Sequence, residues 1–92
     1  MRQIIITFEF QPQNAYRALT FTNMIRKYTQ FAFLNSTSCI IWTSQTVVMV
    51  RDNLLTGIGT GDKIFVSEIA APAAWSFSIN KEVAEYLIKN LK

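Results

Sequence analysis

Apolar and polar residues alternate from Arg2 to Phe10, with Ile4, Ile6, Phe8 and Phe10 on one side and Ile5, Thr7 and Glu9 on the other. A period of two is that of a strand, whose successive side chains point to opposite faces. Gln11-Pro12 ends it, because Pro12 has no N–H to give to a ladder. The period then lengthens. Ala18, Phe21, Ile25 and Tyr28 fall at i, i+3, i+7 and i+10, one stripe of a helix that Asn14 is placed to cap and that reaches about Thr29. Gln30–Asn35 and Ser38–Thr43 are short β-rich runs around the turn formers Asn35-Ser36-Thr37, which predicts a hairpin. Thr43 or Ser44 then caps a second helix with the stripe Val47, Val50 and Leu54, widened by Val48 and Leu55, and Gly57 suits its C′ position. Asp62 to Ile69 alternates again, Ile64, Val66 and Glu68 against Phe65, Ser67 and Ile69. Beyond Pro72, Asn80 caps a last helix whose stripe is Ala84, Leu87, Ile88 and Leu91.

The resulting order, β-α-β-β-α-β, predicts an α+β fold. It is that of a ferredoxin-like sandwich with a four-stranded antiparallel sheet and an added C-terminal helix, one domain over residues 1–92. Right-handed crossovers place the first and third strands in the middle and the first two helices on one face. The other face is then to be covered by the C-terminal segment, by a partner, or by both.

Composition sharpens that last point. Half of the residues are apolar and 16% are charged, against about 25% charged in an average domain. A chain of 92 residues buries only about 60–65% of its unfolded surface. The apolar surplus therefore predicts a second buried surface, most simply a homodimer interface, with an apolar-surfaced monomer as the alternative. A net charge of +3 permits nucleic-acid contact without requiring it. Cys39 is the lone cysteine, so no internal disulfide can form. The opening MRQIIITFEF is too short to span a membrane and has no signal-peptide cleavage pattern, so a cytoplasmic protein without a membrane partner is expected. No repeat, linker or low-complexity tract interrupts the chain.

The candidate chemistry is sparse. Without histidine there is no Ser-His or Cys-His nucleophile and no imidazole metal ligand. Cys39, beside Ile40 and Ile41, reads as a small buried hydrophobe. Gly57-Ile58-Gly59-Thr60-Gly61 resembles a phosphate loop in composition only, since such loops lie between a strand and a helix N-terminus and here the order is reversed. Glu9, at the end of a central strand, has two readings. It is either a solvated or Arg-paired carboxylate or, next to its copy across a two-fold axis, a ligand for Mg²⁺ or Mn²⁺. Arg17, Arg26 and Lys27 are the candidate nucleic-acid contacts, although steps of 100° do not bring all three to one helix face. Trp42 and Trp75 serve either as core and interface aromatics or as stacking platforms. The sheet-surface RNA reader of the same strand order needs a basic, Gly-containing third strand, and Ser38-Cys39-Ile40-Ile41-Trp42 lacks both features.

Several segments together resemble the SinR-like family. They are the aromatic-acid end of the first strand (Thr7-Phe8-Glu9-Phe10), the hairpin with its Ser-Thr turn, Thr43 through Arg51-Asp52-Asn53-Leu54, Asp62-Lys63-Ile64-Phe65-Val66, Ala73-Ala74-Trp75 and the final Leu-rich helix. That family comprises small bacterial and phage proteins related to the dimeric CRISPR-associated subunit of spacer acquisition and, more remotely, to VapD-type toxin ribonucleases. The resemblance implies a ferredoxin-like homodimer. In the CRISPR-associated relatives an aspartate at the end of the first strand is linked to metal-dependent nucleic-acid cleavage, and Glu9 stands at the matching position. Its longer side chain departs from that pattern, as does a C-terminal helix where those relatives extend the partner's sheet with a strand. The expectation is a dimeric, nucleic-acid-associated protein without robust catalysis. The alternatives are a structural or regulatory dimer binding a protein partner of toxin-antitoxin type, and a metal-dependent nuclease using Glu9 with Arg17 or Arg26 on phosphate.

Overall fold

A computed structural model describes residues 1–76 and 78–92. Strand β1 (Arg2–Glu9) is followed by a 3₁₀ segment, Pro12–Arg17, and helix α1 (Ala18–Ile25). Strands β2 (Gln30–Asn35) and β3 (Ser38–Thr43), helix α2 (Val47–Leu55), strand β4 (Lys63–Glu68) and helix α3 (Lys81–Asn90) complete the chain. The four strands form one antiparallel sheet in the order β2-β3-β1-β4, so β1 and β3 are central and β2 and β4 are edges.

Register decides which side chains share a face. Ile4 lies opposite Ile41 and Ile6 opposite Cys39 on one flank, while Ile6 faces Val66 and Phe8 faces Ile64 on the other. These residues point to the side carrying α1 and α2, where Phe21, Ile25, Val50 and Leu54 close a core with Ile4, Ile6, Phe8, Cys39 and Ile41. Each such side chain contributes about 1.5–3 kcal/mol on burial. Phe8, Phe10 and Phe21 pack ring to ring, with centroids 4.7 Å apart for Phe8–Phe21 and 5.4 Å for Phe10–Phe21. The Cys39 thiol is part of this core, and burial pushes its pKa up to about 12.

The opposite face has a smaller core under α3. Ala32, Ile40, Trp42 and Leu87 are buried there, with Ile5, Leu34, Ile69, Trp75, Val83, Tyr86 and Leu91 packed against them. Trp42 and Tyr86 meet edge to face at 5.6 Å. The indole of Trp42 donates to Gln3 Oε1 at 3.3 Å and to the Asn90 carbonyl at 3.2 Å. Gln3, buried on β1, also donates to the carbonyls of Ile69 and Lys92 and accepts from the Lys92 N–H. Its amide thereby ties the end of α3 and the segment after β4 to the central strand. The C-terminal segment covers only part of this face. Thr7, Ser38 and Phe65 lie beyond its reach, and Phe65 is 63% exposed.

The local expectations need several corrections. Asn14 caps no helix: the chain first makes the 3₁₀ segment begun by Pro12, and α1 starts only at Ala18, four residues after Asn14, with no side-chain cap. Asn14 instead reaches across to Thr60 and Asp62. Thr46, rather than Thr43 or Ser44, caps α2, accepting from the Met49 N–H at 3.2 Å. Gly57 is no left-handed C′ residue, a conformation found among the glycines only at Gly61 (φ 84°). It is instead a close-approach glycine: a Cβ there would lie 2.6 Å from Met24 Sδ. Asn80 does cap α3, accepting from Glu82 N–H, but the buried stripe is turned from the expected one. Val83, Tyr86, Leu87 and Leu91 face the sheet, and Ile88 is 73% exposed. Among the described residues no helix is long and apolar enough to cross a membrane.

Candidate functional site

The nominated residues fall at two ends of the sheet. Helix α1 starts at the end of the sheet where β1 finishes and runs back along it, so Arg17 stays at that end while Arg26 and Lys27 are carried about 13 Å away along the helix.

At the first end, Glu9 lies opposite Lys63 in the β1–β4 register. Its carboxylate is 3.9 Å from the Lys63 ammonium, with both side chains largely exposed, 69% and 78%. A pair so solvated adds little stability. No group of three or more Cys, Asp or Glu side chains is placed to hold a metal ion among the described residues. Within one chain, the cation that Glu9 faces is Lys63.

Beside that pair, Asp62 organises the Gly-rich loop. One carboxylate oxygen accepts from the Gln11 N–H at 2.6 Å and from Asn14 Nδ2 at 3.1 Å, and the other accepts from the Gly59 N–H at 2.7 Å. Partial burial pushes the Asp62 carboxyl upward. The two backbone donors, Asn14 and the nearby Arg17 charge outweigh that, and hold it below the usual carboxylate range. The loop that resembles a phosphate cradle thus already holds an anion, the chain's own. Arg17 is committed to this corner: its guanidinium lies 5.4 Å from the Tyr16 ring, its Nε is buried, and its charge acts on Asp62.

At the second end, Arg26 closes α1 and Lys27 follows it, where the carbonyl end of the helix favours cations. The Arg26 guanidinium rests over the Phe33 ring at 4.9 Å and donates weakly to Asn23. Neither Arg26 nor Lys27 makes an ion pair among the described residues, whereas Arg2, Arg51 and Lys63 each do. Next to them is a cleft of about 280 Å³ lined by Met24, Lys27, Tyr28, Gln45 and Asn53. The Tyr28 hydroxyl donates to Gln45 Oε1 and accepts from Asn53 Nδ2, both at 3.2 Å.

The structure therefore groups Arg26 with Lys27, separates both from Arg17, and brings none of the three to Glu9. It buries Trp42 in the second core and packs Trp75 against it, so neither stands as an open stacking platform. Sequence reasoning did not single out Gln3, Tyr28, Gln45, Asn53 or Asp62 for these roles. Asp62 had a local signal, a carboxylate directly after a Gly-x-Gly turn. The cleft residues had none, since 25 positions separate Tyr28 from Asn53. No protein-family model matches the chain, and no curated protein matches it.

Proposed function

We propose that this protein is a non-catalytic, nucleic-acid-associated binding module of SinR-like, ferredoxin-like type that works as a homodimer. The observation that carries the reading is the pair Arg26–Lys27, which has no ion-pair partner among the described residues and is set at the carbonyl end of α1 beside a polar cleft. Strand order supports the ferredoxin-like assignment, since β1 and β3 lie centrally with helices α1 and α2 inserted after them. The exposed Phe65 on the uncovered part of the sheet supports a second copy as its cover. Solvent exposure of Glu9 and its pairing with Lys63 favour binding over cleavage.

The test is binding of labelled RNA and DNA across a salt series, with Mg²⁺, Mn²⁺ or chelator present, for wild type, Arg26→Ala/Lys27→Ala and Glu9→Ala. The expected result is metal-independent binding that weakens steeply with salt. The double variant should lose about two counterions' worth of salt dependence, and Glu9→Ala should behave as wild type. Metal-dependent cleavage lost in Glu9→Ala would instead establish the nuclease. Binding of no nucleic acid at low salt would leave the protein-partner reading.

A further inference from the structure

We infer that the cleft between α1 and α2 is a nucleotide site that reads the Watson–Crick edge of an unpaired base. This deepens the nucleic-acid reading above and rests on it for the strand, though not for the cleft's own chemistry. Four of the five lining residues are polar, and their hydrogen bonds are used unevenly. Tyr28 takes the oxygen of Gln45 and the nitrogen of Asn53. The Gln45 amide nitrogen and the Asn53 amide oxygen have no partner among the described residues. The phenol thus ties down both amides and leaves the Gln45 amide N–H groups as donors and the Asn53 amide oxygen as an acceptor.

A cleft lined by both free donors and a free acceptor suits the Watson–Crick edge of a nucleobase, which carries both functions in complement. In a duplex that edge is occupied by the opposite strand, so the cleft selects an unpaired nucleotide. Met24 and the Tyr28 ring offer an apolar wall for the base face. Lys27 lines the same cleft, and Arg26 precedes it, so the sugar-linked phosphate of a nucleotide whose base is bound meets positive charge. Gln45 is held in the cleft lining by its own backbone, whose N–H donates to Thr43 Oγ1 at 3.2 Å just before the Thr46 cap.

The experiment uses four proteins: wild type, Gln45→Glu, Asn53→Ala and Arg26→Ala/Lys27→Ala. Gln45→Glu keeps the shape and the acceptor for Tyr28 but removes the free donor, and thermal melts check that each variant folds. The probes are a ten-nucleotide single-stranded RNA, the same RNA as a duplex, and the four nucleoside monophosphates. Readouts are anisotropy and the NMR side-chain amide signals of Gln45 and Asn53. The expected result is single strand preferred over duplex, with roughly tenfold weaker binding in Gln45→Glu and Asn53→Ala. The two amide signals should also shift on addition of a monophosphate. Equal binding of single strand and duplex, lost only in Arg26→Ala/Lys27→Ala, would overturn the cleft and keep the nucleic-acid reading. Shifts with monophosphates but no strand binding would keep the cleft as a free-nucleotide site and sink that reading. Neither shifts nor strand binding would overturn both.

Discussion

Gln3 and Asp62 show how much single polar side chains do in a small domain with two thin cores. The Gln3 amide satisfies Lys92, Ile69 and Trp42 from one buried position. Gln3→Leu fills the volume but strands the N–H and C=O of Lys92, and each orphaned group costs about 1–3 kcal/mol. A loss of about 2 kcal/mol is therefore expected, which a thermal melt reads as a fall in Tm of roughly 10 °C. An unchanged Tm would mean that water replaces the amide without cost. Asp62 acts through charge. Its folded pKa lies below the ordinary 3.8, so the native state prefers the carboxylate. The stability it contributes is present above pH 3.8 and is lost as pH falls through the lower, folded value. Asp62→Asn should therefore melt below wild type at pH 7, and the gap should close toward pH 2. A gap that stays constant across that range would rule out the carboxylate's charge as the cause.

The elements differ in how far the sequence disclosed them. Strands and hairpin follow from period two and turn residues, which depend on near neighbours. The hairpin pairs Phe31 with Ile41 and Phe33 with Cys39, as the two β-rich runs suggest. Helix ends were less legible, because their capping residues answer to distant partners. Asn14 has the right side chain for a cap, yet Asp62 and Thr60, nearly fifty positions on, take it. The face of α3 was also ambiguous, since Ile88 and Leu87 are equally apolar and only the packed sheet tells them apart. Leu87 is 3% exposed and Ile88 73%. Leu87→Ala should cost about 2–5 kcal/mol, whereas Ile88→Lys should stay within about 0.5 kcal/mol of wild type. Urea unfolding of the two variants checks this, and equal losses would mean that α3 packs by its other face. Of the candidate site, the cations at the end of α1 were visible in the sequence. The cleft beside them was not, because Tyr28, Gln45 and Asn53 converge only when α1 and α2 lie side by side.

On the scale of the whole molecule, the two sheet faces are treated unequally. One is sealed by α1 and α2. The other is sealed by α3 over β2 and β3 and left open around Phe65 on the edge strand β4. If a second copy covers that opening, Phe65→Asp should convert a particle of twice 10.5 kDa into one of 10.5 kDa by light scattering. It should leave the fold intact, because the side chain is exposed. A monomer for wild type and variant alike would remove the dimer from the proposal. The placement also separates tasks: the open patch lies toward the Glu9 end, and the cationic cleft at the other. Loss of self-association through Phe65→Asp should then leave single-site nucleotide binding unaltered.

The grip of Gln3 on Lys92 makes the path of the chain nearly a closed ring, with residues at positions 3 and 92 sharing one amide. A ring has no privileged starting point. What the fold requires is that the two segments stay adjacent, and a short peptide bridge between them meets that need. The exposed Asn35-Ser36-Thr37 turn between β2 and β3 then becomes a natural place to cut, giving a circular permutant in which α3 leads into β1 and the hairpin supplies the two new ends.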